Sequence, residues 1–424
     1  MLQLQQIRQS KSEVIRRLAK RNVDATDALD EILRLDEDRR SAQTEMDGFL
    51  AEINAISRQV GDLMKAGKAE EAGALRDRSS ELKERVQSLK DKMQEAETAI
   101  DQRLWQIPNT PNDIVPSGRS AEDNEVVFSH GEVHLLPGFD KPHWELAADY
   151  KLIDFDLGAK ITGAGFPVYT GKGARFQRAL INFFLDEAQK AGYNEVIPPH
   201  MVNEASGFGT GQLPDKEGQM YHATADGLYL IPTAEVPVTN IFRDVILREE
   251  ELPLKLCAYS PCFRREAGSY GKDVRGLNRL HQFDKVEIVQ IEHPDRSYQT
   301  LDTMVEHVKS LLVKLGLPFR VLRLCGGDMG FTSALTYDLE VYSAAQKRWL
   351  EVSSVSNFET YQSNRLKCRY RNAEGKPQLV HTLNGSALAL PRIVAALLEN
   401  NQGPEGIAIP EILVPYTGFN RITT

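Results

Sequence analysis

Two matched apolar seams in the first quarter of the chain restrict its fold more than any other feature. Ala28, Ile32, Leu35, Arg39, Ala42, Met46, Phe49, Ile53, Ile56, Val60 and Leu63 follow alternating steps of four and three. That spacing averages 3.5 residues and draws a stripe along one side of an α-helix. KAGKAE (65–70) breaks it, and a second seam runs through Leu75, Ser79, Leu82, Val86, Leu89, Met93, Ala96, Ile100, Arg103 and Ile107. Two stripes of matched length joined by a short turn cover each other as an antiparallel hairpin. At ~1.5 Å per residue the first helix is roughly 55 Å long. Arg39, Ser79 and Arg103 interrupt the apolar positions, at a cost in stability that fixes register. Periodicity alone is equally compatible with a dimerisation coiled coil. A hairpin closed within one chain, however, keeps its outer faces for a partner.

The hairpin divides the chain. IPNTPNDIVP (107–116) reads as a linker, since proline and asparagine punctuate it. From Ser117 onward short apolar strands alternate with a few helices and many Gly/Pro turns, which predicts an α+β domain around a largely antiparallel sheet. The expected organisation is an N-terminal domain over 1–107 with its hairpin over about 28–107, a linker over 108–116 and a second domain over 117–424. A net charge of −9 argues against a generic polyanion binder, so an RNA partner would need local basic patches. One candidate is residues 1–21, where Arg8, Lys11, Arg16, Arg17, Lys20 and Arg21 face Glu13 alone. The chain lacks an apolar run of ~18 residues and the continuous apolar stretch of a signal peptide, which predicts a cytoplasmic protein without a membrane partner. Cys257, Cys262, Cys325 and Cys368 form no CxxC pair and no zinc spacing; buried thiols and no structural zinc are expected.

The chemistry concentrates in CFRREAGSYGKDVRGLNRLHQFDKVE (262–287). It reads as two strands around a Gly-rich loop. Strand side chains repeat every two residues, which puts Arg264 and Glu266 on one face and His281, Phe283, Lys285 and Glu287 on another. Anions, cations and a ring on one surface suit a nucleotide and a small zwitterion better than a core. An Arg-x-Glu followed by a loop and a Phe-bearing strand resembles motif 2 of the class II aminoacyl-tRNA synthetases. TAE (233–235), HQFDKVE (281–287), EVSS (351–354) and HTLNGSALALPR (381–392) are similar to the seryl-tRNA synthetase family in particular, in order along nearly the whole chain.

That resemblance implies ATP-dependent activation of L-serine to seryl-adenylate and transfer of serine to the 3′ end of tRNA(Ser), extending to tRNA(Sec), by a homodimer. The hairpin would grip the long variable arm of the tRNA, commonly across the dimer. Helix Arg175–Lys190 with NEVIPPHMV and Pro199 resembles motif 1, the family's dimer interface. Attack of a carboxylate on the α-phosphorus of ATP joins two anions, so positioning and charge neutralisation dominate. The implied catalytic residues are Arg264, on the α-phosphate and substrate carboxylate, and Arg392, on the γ-phosphate. Arg392 lies in the first turn of a helix with Pro391 at its first position, where a cation is disfavoured unless a polyphosphate sits in front. Glu266 would accept from the adenine amino group and Phe283 stack beneath the ring, with Arg265, Val352 and Ser353 beside the nucleotide. Lys272, Arg275 and Arg279 belong to the motif 2 loop, and the first two would meet ATP phosphates or the tRNA acceptor end.

Mg²⁺ would arrive with ATP on Glu351 and Ser354, oxygen donors for a hard cation. Strict alternation places those two on opposite faces, so the assignment requires a bulge. The serine pocket would consist of Thr233, Ala234, Glu235, Arg264, Glu287, Asn384 and Ser386, with Glu287 receiving the side-chain hydroxyl. On local grounds Thr233 also reads as a helix cap and Glu235 as a dipole partner. Glu287→Ala is expected to abolish serine activation with the fold intact.

Two weaker signals are set aside. GFPVYTGKG (165–173) has the wrong glycine spacing for a phosphate loop, and His130 and His134 in HGEVH lie in an extended segment unsuited to a zinc site. Two other functions remain open: adenylation of another small amino acid or loading of a carrier protein, and a non-catalytic coiled-coil scaffold.

Overall fold

A computed structural model describes residues 1–132, 137–215, 218–266 and 275–423. The chain forms two compact units, one of Leu2–Leu18 with Val23–Pro108, the other of Met1, Ala19–Asn22 and Asn109–Thr424.

The first unit contains three helices, α1 (Leu4–Ala19), α2 (Thr26–Lys65) and α3 (Ala69–Leu104). α2 and α3 pair as the seams require. Met46, Ile53, Ile56, Leu82 and Val86 form their buried core, with Phe49, Val60, Leu75, Leu89 and Met93 packed around it. Near the base the buried column shifts by one residue. Leu29 and Asp36 are fully buried, whereas Ala28 and Leu35 are only half-buried. The cause is α1, whose Arg8 reaches Asp36 at 3.3 Å and whose Lys11 pairs with Asp30. Arg39 at 3.1 Å and Arg40 at 3.1 Å complete the cage around Asp36. Two of the three polar seam positions are thereby explained: Arg39 pairs with Asp36 and Glu97, and Arg103 with Glu31 at 2.8 Å.

The cations of residues 1–21 are mostly paired within the chain. Arg8, Lys11 and Arg16 bind carboxylates. Lys20 donates to the carbonyls of Asp113 and Val115, and Arg21 to those of Met329, Gly330 and Ser333. Nor are residues 109–112 a loose tether. Asn109 is 3% exposed and bonds Phe331, Thr332 and Phe358, while the Asn112 amide donates to Ala334.

The second unit is α+β. Among the described residues eight strands form its main sheet: β1 (Glu125–His130), β2 (Asn194–Glu195), β3 (Leu254–Phe263), β4 (Gln282–Glu292), β5 (Phe319–Arg323), β6 (Leu335–Ser343), β7 (Arg348–Asn357) and β8 (His381–Ala389). Their order is β1-β5-β6-β7-β8-β4-β3-β2, antiparallel except for β2 against β3. Flanking helices are α4 (His143–Asp149), α5 (Gly171–Lys190), α6 (Glu235–Asn240), α7 (Ser297–Lys314), α8 (Thr360–Leu366) and α9 (Leu390–Asn400). α5, α7 and α9 supply Phe176, Phe183, Met304, Leu311, Ile393 and Leu397 to one apolar core. α5 starts at Gly171, four residues before the expected Arg175. The four cysteines are free and buried, and no described helix is long and apolar enough to cross a membrane.

Candidate active site

The central strands β4, β7 and β8 form the floor of a cavity of about 620 Å³. Its lining includes Thr233, Glu235, Arg264, Glu266, Arg279, Phe283, Glu287, Glu351, Val352, Ser353, Ser354, Asn384, Ser386 and Arg392. Residues from five separate stretches of sequence thus reach one surface. Ala234, Arg265 and Arg275 do not line it: Ala234 is fully buried, Arg265 donates its amide to Gln219, and Arg275 lies over the Trp144 ring at 4.8 Å. Lys272 and His134 fall outside the described residues.

One end of the cavity is built around Glu287, which is 1% exposed. Its Oε2 accepts from the Thr233 hydroxyl at 2.9 Å and meets Lys285 Nζ at 2.5 Å. Its Oε1 accepts from Asn384 Nδ2 at 3.0 Å. Alternation on β4 puts Phe283, Lys285 and Glu287 on the cavity side as expected. His281, by contrast, precedes the strand and stacks on Phe166 with ring centroids 5.4 Å apart. Thr233 precedes the N-cap, Ala234, rather than being it; its hydroxyl still accepts the Glu235 amide at 3.2 Å. Glu235 is buried beside Glu287, and Gln362 Nε2 from α8 donates to it at 2.6 Å. Burial, then the Glu287 charge, push Glu235 up to about 7.

The other end is cationic. β3 stops at Phe263, so Arg264 and Glu266 follow the strand rather than share its face, and Glu266 turns away at φ 49°. The Arg264 guanidinium lies over the Phe283 ring at 5.2 Å, and its Nε donates to the Pro232 carbonyl at 3.3 Å. Glu266 pairs with Arg279 at 3.4 Å. Arg392 enters from the first turn of α9, where Pro391 is the second helical residue, not the first. It donates to the carbonyls of Glu351 at 2.8 Å and Asn278 at 3.2 Å.

Glu351 and Ser354 both line the cavity because β7 is bulged. Ser353 pairs with Leu339 and Glu351 with Glu340, leaving Val352 as the extra residue. Asp338, opposite Ser354 on β6, joins them. Its Oδ1 is buried without a hydrogen-bond partner, and burial with the Glu351 charge pushes its pKa well above the ordinary carboxylate range. An orphaned carboxylate oxygen beside Glu351 and Ser354 fits a hard cation that keeps water and phosphate ligands. Among the described residues no cluster of three or more His, Cys, Asp or Glu is arranged as a metal cage.

A buried network supports the cationic end. His143 and Glu399 are both fully buried, with Nδ1 of the ring 2.7 Å from Glu399 Oε1. His143 Nε2 accepts the Leu277 amide at 2.8 Å, which puts the ring proton on Nδ1. Gly276 has φ 66°, and a Cβ there would fall 2.3 Å from His143 Nε2, so only glycine fits. Asn278 is tied to Gln346, itself bonded to Glu399, and its carbonyl holds Arg392. His143, Glu399 and Gln362 carry no local pattern that points to a role in the site. Asp338 alone left a signal, as the residue of TYDLEV facing EVSS across a hairpin.

This sheet and cavity describe the core of a class II aminoacyl-tRNA synthetase, and the family model for the tRNA synthetase class II core domain (G, H, P, S and T) matches residues 220–401. The seryl-tRNA synthetase N-terminal domain model matches residues 1–111. A serine–tRNA ligase from Salinibacter ruber is 55% identical, covering 100% of this chain and 99% of its own. The seryl-tRNA synthetase of Pyrococcus horikoshii complexed with ATP superposes with a TM-score of 0.93 at 34% identity, over 100% of this chain and 99% of that one. The cytoplasmic enzyme of Naegleria fowleri in complex with AMP gives 0.88 at 26% identity, with the same coverage. The chain belongs to the seryl-tRNA synthetase family.

Proposed function

We propose that the cavity activates L-serine with ATP and that the product is passed to tRNA(Ser), with tRNA(Sec) as a second acceptor. The observation that carries the serine assignment is the state of Glu287. A carboxylate has about four lone-pair sites. Thr233, Lys285 and Asn384 occupy three of them, leaving one on Oε1 for a single hydroxyl. Glu235 would take the ammonium group, whose charge offsets the repulsion from Glu287. Arg264 would hold the carboxylate against the α-phosphate while Phe283 carries the adenine and Glu266 reads its amino group.

The serine carboxylate oxygen attacks the α-phosphorus and pyrophosphate leaves. A terminal ribose hydroxyl of the tRNA then attacks the adenylate carbonyl and AMP leaves. Arg392 would bind the γ-phosphate, and Arg275, which lies outside the cavity lining, would meet the tRNA acceptor end together with Lys272. Glu351, Ser354 and Asp338 would hold Mg²⁺, which neutralises phosphate charge when bound with ATP. A homodimer is supported by Ile197, 88% exposed in the Pro-rich segment after β2.

ATP–pyrophosphate exchange over twenty amino acids, then charging of bulk tRNA, tests the reading. Exchange with serine alone and serine-charged tRNA are expected. Exchange with a different amino acid, or a silent cavity, would sink it.

A further inference from the structure

The proposed serine pocket leaves one substrate oxygen without a partner, and the geometry points to Lys285 as its donor and as a catalytic residue of the transfer step. Among the described residues the cations lining the cavity are Arg264, Arg279, Lys285 and Arg392. The three arginines belong to the nucleotide end, whereas Lys285 stands beside Glu287. On β4 the alternation of Phe283, Lys285 and Glu287 sets Lys285 between the other two, roughly 7 Å from each along the strand. Phe283 marks the base and Glu287 the hydroxyl. The step between them therefore lies under the carboxylate that is joined to the α-phosphate. The Lys285 side chain is 7% exposed, and its strand neighbours Ala389 and Ser260 are small. An ammonium has three N–H donors, and the described residues supply one ion-pair partner, Glu287 Oε2 at 2.5 Å. Two donors are left for a ligand.

Serine spans only three carbons. A hydroxyl resting on Glu287 keeps the carboxylate within reach of an ammonium that touches the same Glu287. One carboxylate oxygen attacks the α-phosphorus, the bond from phosphorus to the bridging oxygen breaks, and its electron pair leaves with pyrophosphate. The other carboxylate oxygen becomes the carbonyl oxygen of the anhydride, and it is the one that faces Lys285. In the transfer step the ribose oxygen adds to that carbonyl carbon, its proton passing to water, and the carbonyl electron pair moves onto the oxygen. The pair returns as the carbon–oxygen bond to AMP breaks, and AMP leaves with the bonding electrons. A cation fixed beside the oxygen on which charge develops stabilises the transition state more than the ground state. During activation the same oxygen is already part of a carboxylate, so there the contact serves mainly to bind serine.

This role rests on the seryl-adenylate reading above. Lys285→Met and Lys285→Gln are compared with the parent, each in the full chain. Seryl-adenylate is accumulated on the enzyme from saturating serine and ATP with pyrophosphatase present, then mixed with tRNA(Ser), and the single-turnover charging rate is read by quenched flow. Transfer is expected to fall roughly 10²- to 10³-fold, the loss typical of one missing oxyanion donor. Pyrophosphate exchange should suffer mainly through a higher KM for serine. A raised KM for serine with an unchanged transfer rate would reduce Lys285 to a support for Glu287 and overturn the assignment. Either variant leaves Glu287 without its counter-ion, so Glu287→Gln is also compared with and without Lys285→Met, a pair in which that carboxylate is absent. The double variant should transfer more slowly than Glu287→Gln by the same factor, and equal rates overturn the assignment as well. Failure of the parent protein to exchange with serine counts against the functional reading itself.

Discussion

Glu287 and Glu235 lie in one buried pocket, yet their substitution should have opposite effects on stability. Glu287 neutralises Lys285, which is also buried, so Glu287→Ala leaves a cation without its partner. The expectation of an intact fold is thereby revised. The variant should lose about 3 kcal/mol of stability as well as serine activation. Glu287→Gln removes the same charge but keeps the shape and an acceptor oxygen for Lys285, so it should lose less stability than Glu287→Ala, while kcat/KM for serine falls on the order of 10³-fold. Stable folding of Glu287→Ala with normal exchange would contradict the pocket.

Glu235 behaves differently because its folded value, about 7, lies above its ordinary value of 4.5. The folded state holds the proton more tightly, so the carboxyl's contribution to stability is complete below pH ~4.5 and is lost as pH rises through about 7. Glu235→Gln should therefore raise the melting temperature at pH 8, flatten its pH dependence between 5 and 8, and abolish serine activation. Parallel melting curves for the two proteins across that range would refute the assignment. In the parent enzyme the KM for serine should fall as pH rises towards 7, since the ammonium needs an ionised partner.

At the scale of elements, position comes from packing between segments distant in sequence. α4 and α9 hold the chain at Leu277 and Asn278, and Asn278 holds Arg392. His143→Phe keeps ring volume but removes the acceptor for the Leu277 amide. The KM for ATP should rise about tenfold while the KM for serine stays within twofold, and His143→Gln should recover part of the loss. A purely structural role would lower the melting temperature and leave both KM values alone. The bulge at Val352 belongs to the same scale. Alternation placed Glu351 and Ser354 apart, and one extra residue in β7 brought both to the cavity.

For the whole molecule, the division of labour between the units can be separated. Removing residues 28–107 should leave serine-dependent pyrophosphate exchange within about threefold of the parent and reduce tRNA charging by at least 10²-fold, the order expected when several phosphate contacts vanish. Efficient charging by the shortened protein would end the tRNA role of the hairpin. Charging, unlike exchange, should also weaken steeply with salt.

The hairpin, the α+β class and most cavity residues could be read from sequence because they depend on short-range regularities. A heptad seam has one economical way to be covered, and period-two alternation assigns Phe283, Lys285 and Glu287 to one face without any coordinate. Sequence could not show that Asp36 draws in Arg8, that residues 1–21 spend their cations internally, or that β3 ends before Arg264. Nor could it bring Gln362 to Glu235 across 127 residues of chain, or His143 to Leu277. Those meetings depend on which helix lands on which strand. That choice minimises the burial cost of the whole core and of every charge inside it, a sum over distant partners that no local window contains.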